Sequence, residues 1–251
     1  MPFVMKHEIV RVMHELRRRT LTVARTERLT PHMQRVTLTG PELEGFHSPS
    51  ADDHVKIFLD GPSAVIGRDY TPRRYDEAAR ELTLDFALHD AGPATAWARE
   101  TTPGRTILVG GPRGSTLVPA DFDWWLLLGD ETALPAIGRR IEELPAGARV
   151  TSIVAVPGPE DEQRFDTAAD HRAVWVHRTV GAASDAAPLL AALAGEALPA
   201  GDGFIWIAAE SGVARTLRQH VLETMRHPLP WTKVAGYWTR GKADASEKFD
   251  R

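Results

Sequence analysis

A short segment in the first half of the chain carries side chains that suit one large planar ligand. Its sequence is Arg68-Asp69-Tyr70-Thr71-Pro72-Arg73. Residues two apart on a strand point to the same side, so the guanidinium of Arg68 and the ring of Tyr70 would share a face. With the Thr71 hydroxyl beside them, they offer a phosphate clamp, a stacking surface and a hydrogen-bond donor. A flavin is such a ligand, although the same residues also fit a plain strand that ends in a proline turn.

Two later turns add groups that suit phosphates. In the segment 89–97, a Gly-Pro turn opens a helix directly after a strand. Free backbone N–H groups and the positive end of the helix dipole then meet at one point, which suits a pyrophosphate. In the segment 110–115, glycines allow close backbone approach, while Arg113 and Ser115 add a cation and a hydroxyl. Each segment alone fits a plain turn, but three such turns in one barrel favour a flavin site.

Two patterns of apolar residues indicate the elements that must position these groups. From Thr20 to about Leu117, short stretches alternate apolar and polar residues, which is typical of half-buried antiparallel strands in a barrel or sandwich. After Asp121, apolar runs alternate with helical segments, which indicates a parallel sheet with helices on its faces. The change predicts one domain over residues 1–118 and a second over 119–251. Residues 6–19 have helical apolar spacing and predict a packing helix or a frayed leader.

Composition excludes several classes of protein. The chain has 251 residues, a net charge of −4 and no cysteine. This charge argues against a nucleic-acid binder, and the missing cysteines exclude disulfides and thiolate metal sites. We expect no metal site, because the histidines form no zinc motif. The longest apolar runs, such as residues 204–209, are far shorter than the ~20 residues of a membrane helix, so we expect no membrane insertion and a cytoplasmic location.

The motifs, taken in order, resemble one known family. The stretches RDYTPR, LDFALHDAGPATAWA, GGPRGS, LLLGDETALPAIGRRIEEL and GYWTRG together resemble the siderophore-interacting proteins. These are FAD-dependent ferric-siderophore reductases of the ferredoxin-reductase-like superfamily, and the resemblance runs from about Thr20 to Gly241. It implies an antiparallel six-stranded flavin-binding barrel, followed by a parallel-sheet domain of the NAD(P)H-binding type. It also implies that the C-terminal segment returns to the flavin.

The resemblance implies a role for each matching residue. Arg68 would bind the flavin phosphate, Tyr70 would stack on the isoalloxazine, and Thr71 would lie beside its N5 atom. The remaining cofactor residues would be Asp69, His89, Pro93, Ala94, Thr95, Trp97 and Ser115. At the first strand-to-helix turn of the second domain, NADH or NADPH would meet Asp130, Thr132, Ala133 and Pro135.

That first turn departs from the wider superfamily. The stretch GDETALPA has one glycine and two acids, Asp130 and Glu131, which would repel phosphates. We therefore expect a weak nicotinamide site that takes NADH at least as well as NADPH, or a ferredoxin-type donor instead. A late Cys-Gly turn is also missing, and Glu210 stands there as either a pocket acid or a first-turn helix residue.

The resemblance also implies a substrate end for the flavin. Trp238 would cover the isoalloxazine and complete a catalytic set with Tyr70 and Thr71. Lys56, Arg113 and Arg240 would form a cationic mouth that attracts an anionic ferric siderophore. The sequence thus predicts an FAD enzyme that reduces iron(III) in siderophores. Two alternatives stay open: a general NAD(P)H:flavin or quinone oxidoreductase, and a siderophore-binding protein without turnover.

Overall fold

The computed structural model describes residues 6–61, 64–89, 92–242 and 247–249. The chain divides into two compact units, of which the first ends at Asp121 and the second begins at Phe122. Asp90 and Ala91, inside the predicted pyrophosphate turn, lie outside the described residues.

The described residues of the first unit form strands, one α-helix and a short 3₁₀ helix over Pro41–Leu43. Its elements are β1 (Val10–Met13), β2 (Arg18–Thr30), β3 (Met33–Thr39), β4 (Val55–Asp60), β5 (Val65–Tyr70), β6 (Pro72–Asp76), β7 (Glu81–Ala87), α1 (Pro93–Glu100), β8 (Thr106–Gly110) and β9 (Gly114–Leu117). The helix begins at a Gly-Pro pair, as the sequence predicts, because a proline at the first helical position gives up no hydrogen bond.

Seven of these strands form one antiparallel sheet that curls back to its own beginning. The strand order is β5-β4-β8-β2-β3-β7-β6. The two edge strands, β5 and β6, are consecutive in the chain and are separated only by Thr71. Pro72 has no N–H for the ladder, which explains the break at this point. If β5 and β6 are counted as one broken strand, the sheet is the expected six-stranded barrel.

Alternating residues of these strands fill the core of the first unit. In β4, for example, Val55, Ile57 and Leu59 are buried, whereas the residues between them are more accessible. The same core includes Ala94 and Ala98 of α1, which therefore packs against the sheet through one face.

The prediction of a helix over residues 6–19 is wrong. Val10–Met13 is a strand that pairs antiparallel with β9, with Val10 opposite Leu117. The predicted apolar face does not form, because Met13 and Leu16 are exposed. β-Branched valines at alternate positions favour the strand.

The second unit is built around a parallel sheet. Its elements are β10 (Trp124–Asp130), α2 (Leu134–Glu143), β11 (Arg149–Val156), β12 (Asp170–His177), α3 (Ala187–Ala194), β13 (Gly203–Glu210), α4 (Ser211–Gln219), β14 (Thr232–Trp238) and β15 (Glu247–Lys248). The strand order is β12-β11-β10-β13-β14-β15, with β15 antiparallel at the edge and the other neighbours parallel.

Burial explains why β10 and β13 read as continuous apolar runs. Both lie in the middle of the sheet, and every residue of each strand is buried. The carboxyl ends of β10, β11, β12, β13 and β14 meet at one edge, where open α/β sheets bind their ligands. No helix of the described residues is long and apolar enough to span a membrane.

Candidate flavin and nucleotide sites

Arg68 and Tyr70 share one face of β5. They pair with Ile57 and Val55 of β4, which belong to the core. The Arg68 guanidinium donates a hydrogen bond to the Gly67 carbonyl over 2.7 Å. Because Arg68 and Tyr70 are two positions apart in the strand, the guanidinium and the ring lie on the same face, as the motif predicts.

Aromatic rings hold Tyr70 in place. The centroid of its ring lies 4.2 Å from that of Phe86, with 36° between the planes, and Phe86 lies 5.5 Å from Trp97 of α1. Burial raises the pKa of the Tyr70 hydroxyl above its usual range, so this group stays neutral at physiological pH. Phe86 carries no chemistry of its own, and sequence reasoning missed it. The sequence indicated its role only through its position in β7, the strand that leads into α1.

Unused donors gather near these rings. Within the described part of the chain, the hydroxyls of Thr71 and Thr95 have no hydrogen-bond partner, although both residues are buried. The N–H groups of Ala94 and Thr95, in the first turn of α1, also have no acceptor among the described residues. Gly92 precedes the helix with a φ of 141°, a conformation that favours glycine, and a Cβ added there would meet only His89.

These groups fit FAD. A half-buried aromatic ring and an arginine on the same face match the flavin ring and its phosphate. The first turn of α1, whose N–H groups have no acceptor among the described residues, matches the pyrophosphate. Tyr70 and Thr71 would hold the flavin ring, whereas Arg68 and the first turn of α1, with Ala94 and Thr95, would hold the phosphates.

Ser115 is engaged within the protein. Its hydroxyl donates to the Asp53 carboxylate over 2.8 Å and lies 2.7 Å from Nε2 of His14. The Ser48 hydroxyl and the Ser50 N–H also donate to Asp53, and burial raises the pKa of this carboxyl. Ser115 therefore connects the N-terminal segment to the barrel, and its predicted contact with the cofactor stays a prediction.

The expected cations of the first unit lie at the surface. Lys56 forms an ion pair with Asp69 opposite it, with Nζ 2.9 Å from Oδ1. This pair faces away from Arg68 and Tyr70, because neighbouring residues of a strand point to opposite sides. Arg113 is exposed, and its carbonyl accepts the N–H of His14.

In the second unit, Asp130 connects three strands at the carboxyl edge of the sheet. This residue is only 2% exposed. Its Oδ1 accepts hydrogen bonds from the N–H and the hydroxyl of Thr132. Its Oδ2 accepts the N–H of Glu210 and the indole N–H of Trp238, each over 2.9 Å. Four donors therefore satisfy an acid that the sequence suggested would repel phosphate, and Trp238 is bound to it.

Glu210 caps the helix that follows it. Its Oε2 accepts the N–H groups of Gly212 and Val213 at the start of α4, and its Oε1 accepts the N–H of Arg240. The sequence allowed Glu210 to be a pocket acid or a residue at the start of a helix, and the structure shows it at the start of α4. The Arg240 guanidinium is exposed and donates to the Gly181 carbonyl over 2.7 Å. Ala133 and Pro135 are buried at the start of α2.

Sequence reasoning missed Arg178. It follows β12, and its Nη2 donates to Oε2 of Glu131 over 2.6 Å. The side chains of Arg178 and Glu131 are 4% and 15% exposed. The Nη1 atom of Arg178 is buried without a hydrogen-bond partner among the described residues. No motif marks this arginine, because its partner lies 47 residues earlier.

Both units of the chain match family models of siderophore-interacting proteins. The model described as the siderophore-interacting FAD-binding domain matches residues 22–67 and 61–116, and the model described as siderophore-interacting protein matches residues 122–241. The NADPH-dependent ferric-chelate reductase of Escherichia coli (strain K12) is 36% identical over 250 residues, which cover 91% of this chain and 95% of that protein.

Solved structures agree with this family and fold. The crystal structure of a siderophore utilization protein from T. fusca superposes with a TM-score of 0.89 at 37% identity, covering 95% of this chain and 98% of that one. A ferredoxin NADP⁺ reductase from Neisseria gonorrhoeae shares the fold alone, with a TM-score of 0.55 and 15% identity over 82% of this chain and 91% of that one. The predicted fold class and resemblance are thus confirmed: the chain belongs to the siderophore-interacting protein family.

Proposed function

We propose that this protein is an FAD-dependent reductase that takes electrons from NADPH or NADH and passes them to iron(III) in a siderophore. One observation carries the proposal. The stacking ring of Tyr70, the hydroxyl of Thr71 and the first N–H groups of α1, which have no acceptor among the described residues, lie in a unit that matches the siderophore-interacting FAD-binding domain. The name of the Escherichia coli relative supports the same activity.

The chain itself performs three tasks in this reaction. Tyr70, supported by Phe86, provides a flat surface for the isoalloxazine, and Thr71 offers a hydrogen bond at the ring edge. The N–H groups of Ala94 and Thr95 bind phosphate oxygens at the positive end of α1. When bound, FAD accepts electrons in a pair and releases them singly, which suits a nicotinamide donor and an iron(III) acceptor.

Reduction of the metal explains how iron leaves the chelate. Iron(II) is held less tightly than iron(III) by hard oxygen ligands, so transfer of one electron loosens the siderophore complex. The protein needs no metal ligand of its own for this step. Arg240 and Arg113 would attract an anionic chelate, and Trp238 would cover the flavin. Lys56 would add less to this attraction, because Asp69 already offsets its charge.

The cytoplasm is the compartment that we propose, because a chain without cysteine needs no oxidising environment. A ferredoxin-type protein is the alternative electron donor. It would reduce the flavin without a nucleotide, so the two donors are separable by experiment.

The test starts with the purified protein. We expect it to be yellow and to release FAD, not FMN, on heating. Under anaerobic conditions, NADPH or NADH should bleach the flavin, and a ferric siderophore should restore its colour while a ferrous trap reports iron(II). Tight FAD with no response to any ferric chelate would contradict the reductase. Weakly held flavin with rapid turnover of free flavin would indicate a general flavin reductase instead.

A further inference from the structure

We propose that the N-terminal segment, residues 7–17, is a strap that holds the turn 110–115 in the shape that binds FAD, with His14 as its positioning residue. The inference rests on the proposed function, because it assumes that this turn contacts the cofactor. It gives a role to a segment for which the sequence predicted only a packing helix or a frayed leader.

The backbone of the strap is hydrogen-bonded to the turn at two points. The N–H of Gly111 donates to the carbonyl of Arg17 over 3.0 Å. The N–H of His14 donates to the carbonyl of Arg113 over 2.9 Å. The path of the turn between residues 111 and 113 therefore depends on the strap.

The strap also fits closely against the end of the turn. In the ladder between β1 and β9, Met13 lies opposite Gly114. A Cβ added at Gly114 would lie 2.6 Å from the carbonyl oxygen of Val12, so only glycine allows this approach. At the far end of the strap, Nδ1 of the buried His7 lies 2.7 Å from Oδ1 of Asp121. One glycine of the GGPRGS motif is thus required by the strap.

His14 links the strap to Ser115 through a hydrogen bond whose direction the surroundings fix. The Ser115 hydroxyl donates to Oδ2 of Asp53 over 2.8 Å and lies 2.7 Å from Nε2 of His14. A hydroxyl has one proton, so Ser115 accepts from His14, and the Nε2 atom of His14 carries the proton. The Ser115 hydroxyl then has no proton for a phosphate oxygen, and it acts on the cofactor through the shape of the turn.

The chain of hydrogen bonds ends next to the strand that supports the flavin ring. Ser115 and Asp53 are 3% and 2% exposed, so water does not replace a partner that either of them loses. Asp53 lies two residues before Val55, the first residue of β4, which pairs with Tyr70. The strap therefore stabilises the turn and the start of β4 together.

The rate of FAD release from the purified protein tests the proposal without any turnover. His14→Met removes the donor but keeps an unbranched side chain of similar length, and FAD release should become about fivefold to tenfold faster. His14→Gln has the same length as the methionine variant and keeps an N–H group, so it should restore most of the original rate. Arg11→Met is the matched control, since Arg11 is exposed in the same strand, and it should leave the rate unchanged.

Amide hydrogen exchange in the unaltered protein gives a second measurement. Coupling is reciprocal, so a strap that stabilises bound FAD must itself be stabilised by FAD. The N–H groups of His14 and Gly111, which connect the strap and the turn, should exchange about fivefold or more slowly in the FAD-loaded protein than in the apoprotein. This measurement decides the matter even if His14→Met does not fold.

The outcomes separate positioning of the turn from general support of the fold. Unchanged FAD release in His14→Met, or equally fast release from His14→Met and His14→Gln, would overturn the proposal. Equal exchange of these amides with and without FAD would overturn it as well. Reduction of a ferric siderophore in the presence of saturating FAD tests the proposed function separately. The variants should then match the unaltered protein, and a failure of all of them, the unaltered protein included, would count against the reductase itself.

Discussion

Replacement of Trp238 by phenylalanine tests whether this residue holds the sheet edge together. The substitution keeps an aromatic ring and removes the indole N–H, which donates to the buried Asp130 over 2.9 Å. A hydrogen bond to a charged group contributes about 1.5–3 kcal/mol. Three other donors to Asp130 remain, so we expect a loss near ~1.5–2 kcal/mol, in the lower part of that range. For a chain of this size, that loss lowers the melting temperature by roughly 3–8 °C.

Thermal unfolding of the FAD-loaded protein, followed by circular dichroism, measures the effect. Trp175→Phe in β12 is the control, because the Trp175 indole has no hydrogen-bond partner among the described residues. It should shift the melting temperature by less than half as much. Flavin absorption and FAD affinity should be unchanged in both variants. A Trp238→Phe protein with normal melting but an altered flavin spectrum would refute the reasoning and favour the predicted cover over the isoalloxazine.

Three further changes test the cofactor, the acid pair and the substrate end. Arg68→Ala should weaken FAD by about 2–3 kcal/mol, or roughly 30- to 160-fold in a titration of the apoprotein; full retention would place the phosphate elsewhere. Because the raised pKa of Glu131 lets the native state keep a proton that the unfolded chain releases, stability should fall as pH rises from about 4.5 to 7, and Glu131→Gln should flatten this slope in melting experiments. Arg240→Ala should raise the Michaelis constant for a triply charged catecholate complex several-fold, in a salt-dependent manner. Lys56→Ala should do so less, because Asp69 already offsets that charge; equal losses with a neutral hydroxamate complex would contradict the electrostatic account.

The barrel could be predicted from the sequence because its strands are half-buried. One side of each strand faces the core, so the apolar residues alternate in register with the pleat. The second unit was predictable for the opposite reason, since a strand buried on both faces, such as β10, gives an unbroken apolar run. Residues 6–19 were mispredicted because short apolar spacings fit a helix and a strand alike, and pairing with β9 decides between them.

Local motifs also predicted which side chains of β5 share a face, because that depends only on the strand period. They could not predict Phe86 behind Tyr70, because β7 is brought next to β5 by closure of the sheet. Nor could they predict that the Ser115 hydroxyl is hydrogen-bonded to Asp53 and His14, which lie 62 and 101 residues away. Contacts of this kind depend on the topology of the sheet.

The acids at the carboxyl edge of the second sheet show why counting the charges in a turn does not reveal which of them would repel a phosphate. Asp130, Glu131 and Glu210 all look like groups that repel phosphate, yet each is bound differently. Asp130 is held by four donors, and Glu210 is held by the first turn of α4. Releasing either would leave buried N–H groups without acceptors. Glu131 is paired with Arg178, which lies 47 residues later in the chain, so its charge is offset by a cation that the turn itself does not contain.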